Sequence, residues 1–159
     1  MDSKVDAALR HLVATNLVAI LFTDLSGNIL NARLEADLFL ESALSTADPH
    51  LQALAWEMKT RVAMSEQDWM GAREYVQQAL AIVEKFEVLV AAWQVHTTAW
   101  QLYLHTRDDK AAEANRERAE ACILKIANSF ARDEPLRASF LSAAPIARVL
   151  GASSKRAAS

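Results

Sequence analysis

Apolar residues recur at intervals of three and four along most of this chain. The clearest stretch has its apolar side chains at Ala72, Tyr75, Val76, Ala79, Leu80, Val83 and Phe86. This spacing lines one face of an α-helix and predicts an amphipathic helix packed on one side. Similar stripes elsewhere predict three helix pairs at about 4–46, 48–86 and 88–131, a short capping helix within 134–150 and a flexible tail at 152–159.

Short polar segments separate these stripes, and three of them recur at one constant interval, which we call the repeat period. The segments Gly27–Ala32, Gln67–Ala72 and Arg107–Ala112 start at positions 27, 67 and 107. Each is a polar turn followed by a helix whose first inward residue is alanine. A fixed period of this size is typical of stacked helical hairpins. We therefore expect Ala32, Ala72 and Ala112 to be buried between helices.

Composition favours one soluble all-α domain over residues 1–151. The chain has 159 residues, of which 52% are hydrophobic, with only 3 Gly and 3 Pro to form turns. A net charge of −3 gives no general attraction for nucleic acid. The most apolar stretch, Leu12–Leu25, is shorter than the roughly 20 apolar residues that span a bilayer. Cys122 is the single cysteine, and we expect a cytoplasmic protein that does not contact membranes.

The second repeat resembles the tetratricopeptide repeat. The matching positions are Trp56, Asp68, Trp69, Ala72, Val76, Ala79 and Leu80. The resemblance implies a right-handed superhelix of about three antiparallel helix pairs with a capping helix, a fold that serves protein–protein interaction. The chain departs from the family where Gln67 and Arg107 replace a turn glycine, and where Thr60 and Trp100 replace a small residue. Its period is also longer than the roughly 34 residues of that family.

These departures are similar to the divergent C-terminal arrays of bacterial signalling ATPases, kinases and cyclases. The run Asp133–Leu141, followed by Ala144-Pro145-Ile146, resembles the end segment of such arrays. That likeness implies a regulatory role. Whether the sequence is a whole protein or a piece of a larger regulator is left open.

Residues 20–32 have a second interpretation. Phe22–Ala32 also resembles the first hairpin of a PAS sensor domain and the opening of class III cyclase domains, in which an aspartate binds metal. Both domains need a long mixed sheet, whereas the helical pattern here resumes by Leu34. We favour a helix over about Lys4–Leu25, followed by a turn, with Asp24 as a helix-end residue; the hairpin stays as the alternative.

The sequence predicts no catalytic, cofactor-binding or metal-binding residues. His11, His50, His96 and His105 show no metal-ligand spacing, and glycines at 27, 71 and 151 form no phosphate loop. His96 lies on an apolar stripe and is interpreted as a core histidine, and His105 as a residue at a helix C-terminus. Cys122 is interpreted as a buried thiol, and the mixed-charge run Glu113–Glu120 as a solvated helix face.

We therefore predict a non-catalytic interaction or scaffold module that binds a protein or peptide on a concave helix face. By the register of the resemblance, the residues facing the partner are Glu57, Arg61, Gln94, Thr97, Trp100, Gln101 and His105. Trp100 is the least ordinary of them, because aromatic side chains in grooves anchor partners. The alternatives are a self-associating homodimer, and a small-ligand sensor or enzyme with an interhelical pocket near His96 and Trp100.

Overall fold

A computed structural model describes residues 29–156, and all regular structure within that range is helical. The prediction of an all-α fold is confirmed for these residues. The helix expected over 4–25 lies outside the described residues, as do positions 20–28 of the alternative hairpin, whereas the residues from Ile29 onward are helical. The helices are α1 (Ile29–Leu44), α2 (Pro49–Ser65), α3 (Trp69–Lys85), α4 (Leu89–His105), α5 (Asp109–Ala127), α6 (Pro135–Ser142) and α7 (Ala144–Arg156).

The repeat period reappears in the positions of the helices. Helices α1, α3 and α5 begin at positions 29, 69 and 109, and α2 and α4 begin at 49 and 89. Ala32, Ala72 and Ala112, each three positions into its helix, are buried as expected. A side chain of one carbon at this point lets the neighbouring helix approach closely, so the alanines fix the helix spacing.

The turns of the two complete hairpins also match. Gln67 and Arg107 are in the left-handed region, with φ of 60° and 57°. In each turn the following N–H reaches back to the end of the preceding helix: Asp68 N donates to the Ala63 carbonyl, and Asp108 N donates to the Tyr103 carbonyl, both at 2.9 Å. This is the Schellman ending of a helix, which usually has glycine at the left-handed residue. The backbone therefore keeps the turn although the glycine is missing.

The turn aspartates begin the next helix. Asp68 Oδ1 accepts from Gly71 N at 3.0 Å, and Asp108 Oδ1 accepts from Ala111 N at 3.2 Å. Before α2, Asp48 accepts from the N–H groups of His50 and Leu51, and Pro49 occupies the first helical position. Each aspartate satisfies an amide that the first helical turn leaves without a partner.

Neighbouring helices pack in chain order. Helix α2 packs with α3 and α4 packs with α5 as hairpins, while α1 and α4 also pack against α2 and α3 packs against α4. One apolar core runs through α1 to α4 and reaches Ala112 at the start of α5. Its largest fully buried side chains include Met58, Val76, Val95 and Leu102. The described part of the chain is thus a stack of helices in which each hairpin is covered by the next.

A second apolar cluster closes the C-terminal end. It joins Ala119 and Ile123 of α5 to Ile146 and Val149 of α7. Where the sequence indicated a short helix ending near Leu141, one last turn over 145–150 and a tail from 152, the structure has two helices, and α7 continues through Gly151 to Arg156. One glycine costs a helix only about 1 kcal/mol, which flanking helix-forming residues can offset.

Candidate functional site

The predicted partner-binding residues lie mainly on α2 and α4, and Glu57 is the most buried of them. Only 4% of Glu57 is exposed. Its Oε1 accepts a hydrogen bond of 2.6 Å from Thr98 Oγ1 on α4 and lies 2.9 Å from Arg61 Nε. A buried carboxylate needs such partners to offset its lost hydration. Glu57 therefore joins the two helices from inside, and Thr98 is a partner that the sequence did not identify.

Arg61 faces outward from the same cluster. Its Nε is buried and its N–H is not directed at Glu57 Oε1, so that contact is an ion pair without a hydrogen bond. The side chain as a whole is 32% exposed. Its two terminal nitrogens have no hydrogen-bond partner among the described residues. A guanidinium held at one end and open at the other can donate to a carbonyl or carboxylate of a partner.

Gln94, Thr97 and Gln101 share one face of α4, because Thr97 and Gln101 follow Gln94 at helical spacing. All three are half-buried. Thr97 Oγ1 donates to the Trp93 carbonyl at 2.7 Å. Neither glutamine amide has a hydrogen-bond partner in the described part of the chain. Gln101 stands one repeat period after Arg61, at the equivalent point of the adjacent helix, so these side chains extend one polar surface across α2 and α4.

Trp100 and His105 have other neighbours. Trp100 is half-buried and packs against both apolar clusters, including the one that contains α7. His105 is exposed at the end of α4, and its ring stacks on Trp69 with centroids 5.1 Å apart. That stack fastens the end of α4 to the start of α3. We call Arg61, Gln94 and Gln101 the polar strip. Glu57 supports it from below, Thr97 lies between it and the face of α4 that carries Trp93 and Trp100, and Trp100 and His105 lie outside it.

His96 is a core histidine, as predicted. Its Nδ1 lies 2.9 Å from Asn115 Oδ1, and Asn115 Nδ2 donates to the Ala111 carbonyl at 2.9 Å. Because the second bond fixes the amide orientation, His96 Nδ1 is the donor to Asn115. Burial lowers the pKa of His96, against the opposite effect of the Asn115 hydrogen bond. The imidazole is thus kept neutral as a structural link between α4 and α5.

Arg116 corrects the interpretation of 113–120 as a solvated face. The expected helical ion pairs form, with Arg116 Nη2 at 2.8 Å from Glu113 Oε1 and Nη1 at 2.7 Å from Glu120 Oε2. The arginine itself, however, is buried. Hydrogen bonding to Glu113 and then to Glu120 raises its pKa. Position 116 lies one repeat period after the buried Val76, so the repeat itself predicts burial there, whereas charge composition predicted exposure.

The remaining candidates for a chemical or ligand site in the described residues are metal-ligand clusters, the Cys122 thiol and one surface hollow. Within residues 29–156 no cluster of three or more His, Cys, Asp or Glu side chains is placed to hold a metal ion. Cys122 is half-buried, and burial raises the pKa of its thiol, which disfavours the reactive thiolate. A hollow of about 670 Å³ is lined by Asn128, Phe130, Arg132 and Arg137. It lies at the α5–α6 junction, and neither His96 nor Trp100 lines it.

The described residues therefore define an all-α protein of stacked helical hairpins with a polar strip across α2 and α4. None of its described helices is both long and apolar enough to cross a membrane. No protein-family model matches the chain, and neither the curated proteins nor the solved structures contain a match.

Proposed function

We propose that this protein is an interaction or scaffold module that binds a protein or peptide partner along the α2–α4 surface and performs no bond chemistry. In this proposal the hairpins form a right-handed superhelix of the tetratricopeptide type, with the polar strip on its concave side. The likeness to bacterial signalling arrays gives the module a regulatory role in the cytoplasm.

The observation that carries the proposal is the set of donors on the polar strip that have no hydrogen-bond partner among residues 29–156. Arg61 keeps its terminal nitrogens open, and the amides of Gln94 and Gln101 have no hydrogen-bond partner in the described residues. The residues beneath them are fixed by the Glu57–Thr98 hydrogen bond between helices. Donors that are held on rigid helices but unpaired suit recognition of a peptide backbone or of an acidic side chain, since little ordering is needed on binding.

The experiment places a photo-crosslinking amino acid at Gln101 and, in a matched variant, at Gln78. Both are glutamines in the middle of a helix, and Gln78 is exposed on α3, away from the polar strip. We expect a specific crosslinked partner from Gln101 and none from Gln78. Mass spectrometry identifies the partner, which is then purified for binding measurements.

Affinity for that partner is measured with Arg61→Ala and Gln94→Ala, and with Gln78→Ala as the control. We expect each strip variant to weaken binding by roughly tenfold, because a charge-assisted or buried hydrogen bond contributes about 1–3 kcal/mol. Crosslinking of the same proteins from Gln78 as from Gln101, or unchanged affinity in the strip variants, contradicts the proposal.

A further inference from the structure

Helix α2 packs against the next hairpin through a face that consists of Ala53, Glu57, Thr60 and Met64, which recur at helical spacing. Ala53 and Thr60 are fully buried, and Glu57 binds Thr98 of α4. Small residues at 53 and 60 let α4 pack closely against α2. This face is therefore the one on which the array continues.

One repeat period later, the same face of α4 consists of Trp93, Thr97, Trp100 and Leu104. Within the described residues no further hairpin comes after α5. Instead, Trp93 and Trp100 pack against the cluster that joins Ala119 and Ile123 of α5 to Ile146 and Val149 of α7. Helix α7 packs mainly on α5 and α6, so it covers only part of the end of this hairpin. The two indoles stand at the positions that Ala53 and Thr60 occupy where α4 lies close to α2.

Trp93 and Trp100 of α4 and Ile123 of α5 line what we call the α4–α5 groove, and α7 covers it only in part, together with Phe140 and Leu141 of α6. Over its described side chains α7 buries Ile146 and Val149, whereas α2 buries nine residues. Leu104, at the end of the α4 face, remains 49% exposed. A helix that buries two side chains over residues 144–152 gains little from burial, which ordering of the helix opposes.

The link between α5 and the cap gives α7 a route out of its groove. The segment 128–134 joins α5 to α6 without regular secondary structure. The contacts that hold the cap near this link include hydrogen bonds from Arg137 Nε to the Ala127 carbonyl at 3.2 Å and from Arg137 Nη2 to Asn128 Oδ1 at 3.5 Å. The rings of Phe130 and Phe140 are also in contact. Rotation within the link can move α6 and α7 away from α5 and leave both hairpins intact.

We propose that the α4–α5 groove is a helix-docking site that accepts α7 from a second copy of the chain in exchange for its own. An emptied groove exposes Trp93, Trp100 and Ile123 to water, so it favours a replacement. The one helix whose side chains are shown to fit is α7, and every copy of the chain carries it. Reciprocal exchange produces a closed two-fold dimer with the same contacts as in the monomer.

The first test shortens the link by deleting Ala131, Arg132 and Asp133 from the full chain. The shorter link cannot return α7 to its own groove, so we expect a dimer by light scattering at concentrations where the wild type is monomeric. Circular dichroism checks that the helices persist. Adding Val149→Asp to the deletion should restore the monomer, because a carboxylate cannot enter the apolar groove. A folded deletion variant that stays monomeric overturns the proposal.

The second test leaves the protein unaltered. A fluorescent peptide of residues 131–156 is titrated with the wild-type full chain, and binding is followed by anisotropy. We expect saturable binding that weakens at least tenfold in an Ile146→Asp peptide and little in an Ala147→Asp peptide, since Ala147 is exposed on the same helix. Absence of binding, or equal binding of the Ile146→Asp peptide, shows that the groove accepts only its own tethered helix and contradicts the exchange.

Discussion

The hairpins α2–α3 and α4–α5 have the same backbone but different interiors. Both turns place a non-glycine residue in the left-handed region and both following helices are capped by aspartate. Between the helices, however, Trp56 stacks on Tyr75 in the first hairpin, whereas His96 bonds to Asn115 in the second. A shared backbone thus tolerates an aromatic pair or a polar pair at the same point.

The reason for the difference lies in what covers each hairpin. The first is covered by another hairpin, and its outward face is small and close-packed at Ala53 and Thr60. The second is followed by no further hairpin among the described residues, and its equivalent positions are Trp93 and Trp100, which pack against the cluster between α5 and α7. The repeat period thus indicates which positions point inward. The element packed against a hairpin determines whether small or large residues occupy those positions.

The largest effect on the free energy of unfolding is expected from exchanging the residue types at Val76 and Arg116, which are one repeat period apart. Val76 is fully buried. Glu113 and Glu120 hold Arg116, and the residues one repeat period before them are Arg73 and Leu80, so no glutamate pair stands beside Val76. Val76→Arg therefore buries a charge without a partner and should cost about 3–5 kcal/mol, measured by urea unfolding. Arg116→Val should cost far less, since Glu113 and Glu120 are each 27% exposed and regain water. Equal losses for the two variants would show that the positions are not equivalent.

A smaller effect, of opposite sign, is expected at the turns. Gln67→Gly and Arg107→Gly should each stabilise the protein by roughly 1 kcal/mol, because glycine removes the steric cost of a side chain at positive φ. The control is Glu66→Gly, at a residue in the right-handed region with φ of −82°, which should not stabilise. Thermal unfolding measures all three variants. Loss of stability at either turn position would contradict the shared geometry.

The smallest effect is a pH dependence of the free energy of unfolding. It is expected from the His96–Asn115 pair of the second hairpin and has no counterpart in the Trp56–Tyr75 pair of the first. Because burial lowers the pKa of His96, the unfolded chain binds a proton before the folded chain does as pH falls through the ordinary histidine value of about 6.5. Stability contributed by neutral His96 is present above that value and is lost below it. Urea unfolding at pH 7.5 and 5.5 should show a weaker pH dependence in His96→Gln than in the His50→Gln control. An identical pH dependence in both variants would rule out this role.

Much of the fold can be predicted from spacing alone. The stripe from Ala72 to Val83 and the three alanines at a fixed period were enough to predict helices and their buried faces. Phe86 was wrongly included in that stripe, since it follows the end of α3 in extended conformation and is 42% exposed. The polar partners were harder to predict. Thr98 and Asn115 look ordinary in sequence, because a buried hydrogen bond depends on two helices meeting, and spacing within one helix does not reveal the pair. Arg116 was misjudged because its charged neighbours suggested water, although its register with Val76 indicated the core.

The residues predicted to bind a partner show the same limit. Arg61, Gln94 and Gln101 are half-buried, and their role in binding stays a prediction. Register gave no sign that Glu57 is buried and bound by Thr98 and Arg61. Because Trp100 stands where the resembled family has a small residue, it was expected either to spread the two helices or to face the concave surface as an anchor for a partner. Its contacts with the cap depend on the helices beyond α5, and the sequence indicated only one short helix there.

The most direct test of the repeated hairpin is a solution NMR measurement of backbone φ from chemical shifts and three-bond HN–Hα couplings. We predict positive φ at both Gln67 and Arg107, with helical values resuming at Trp69 and Asp109. A negative φ at either residue, or a helix running through either turn, would contradict the claim that α2–α3 and α4–α5 are the same hairpin repeated after one repeat period.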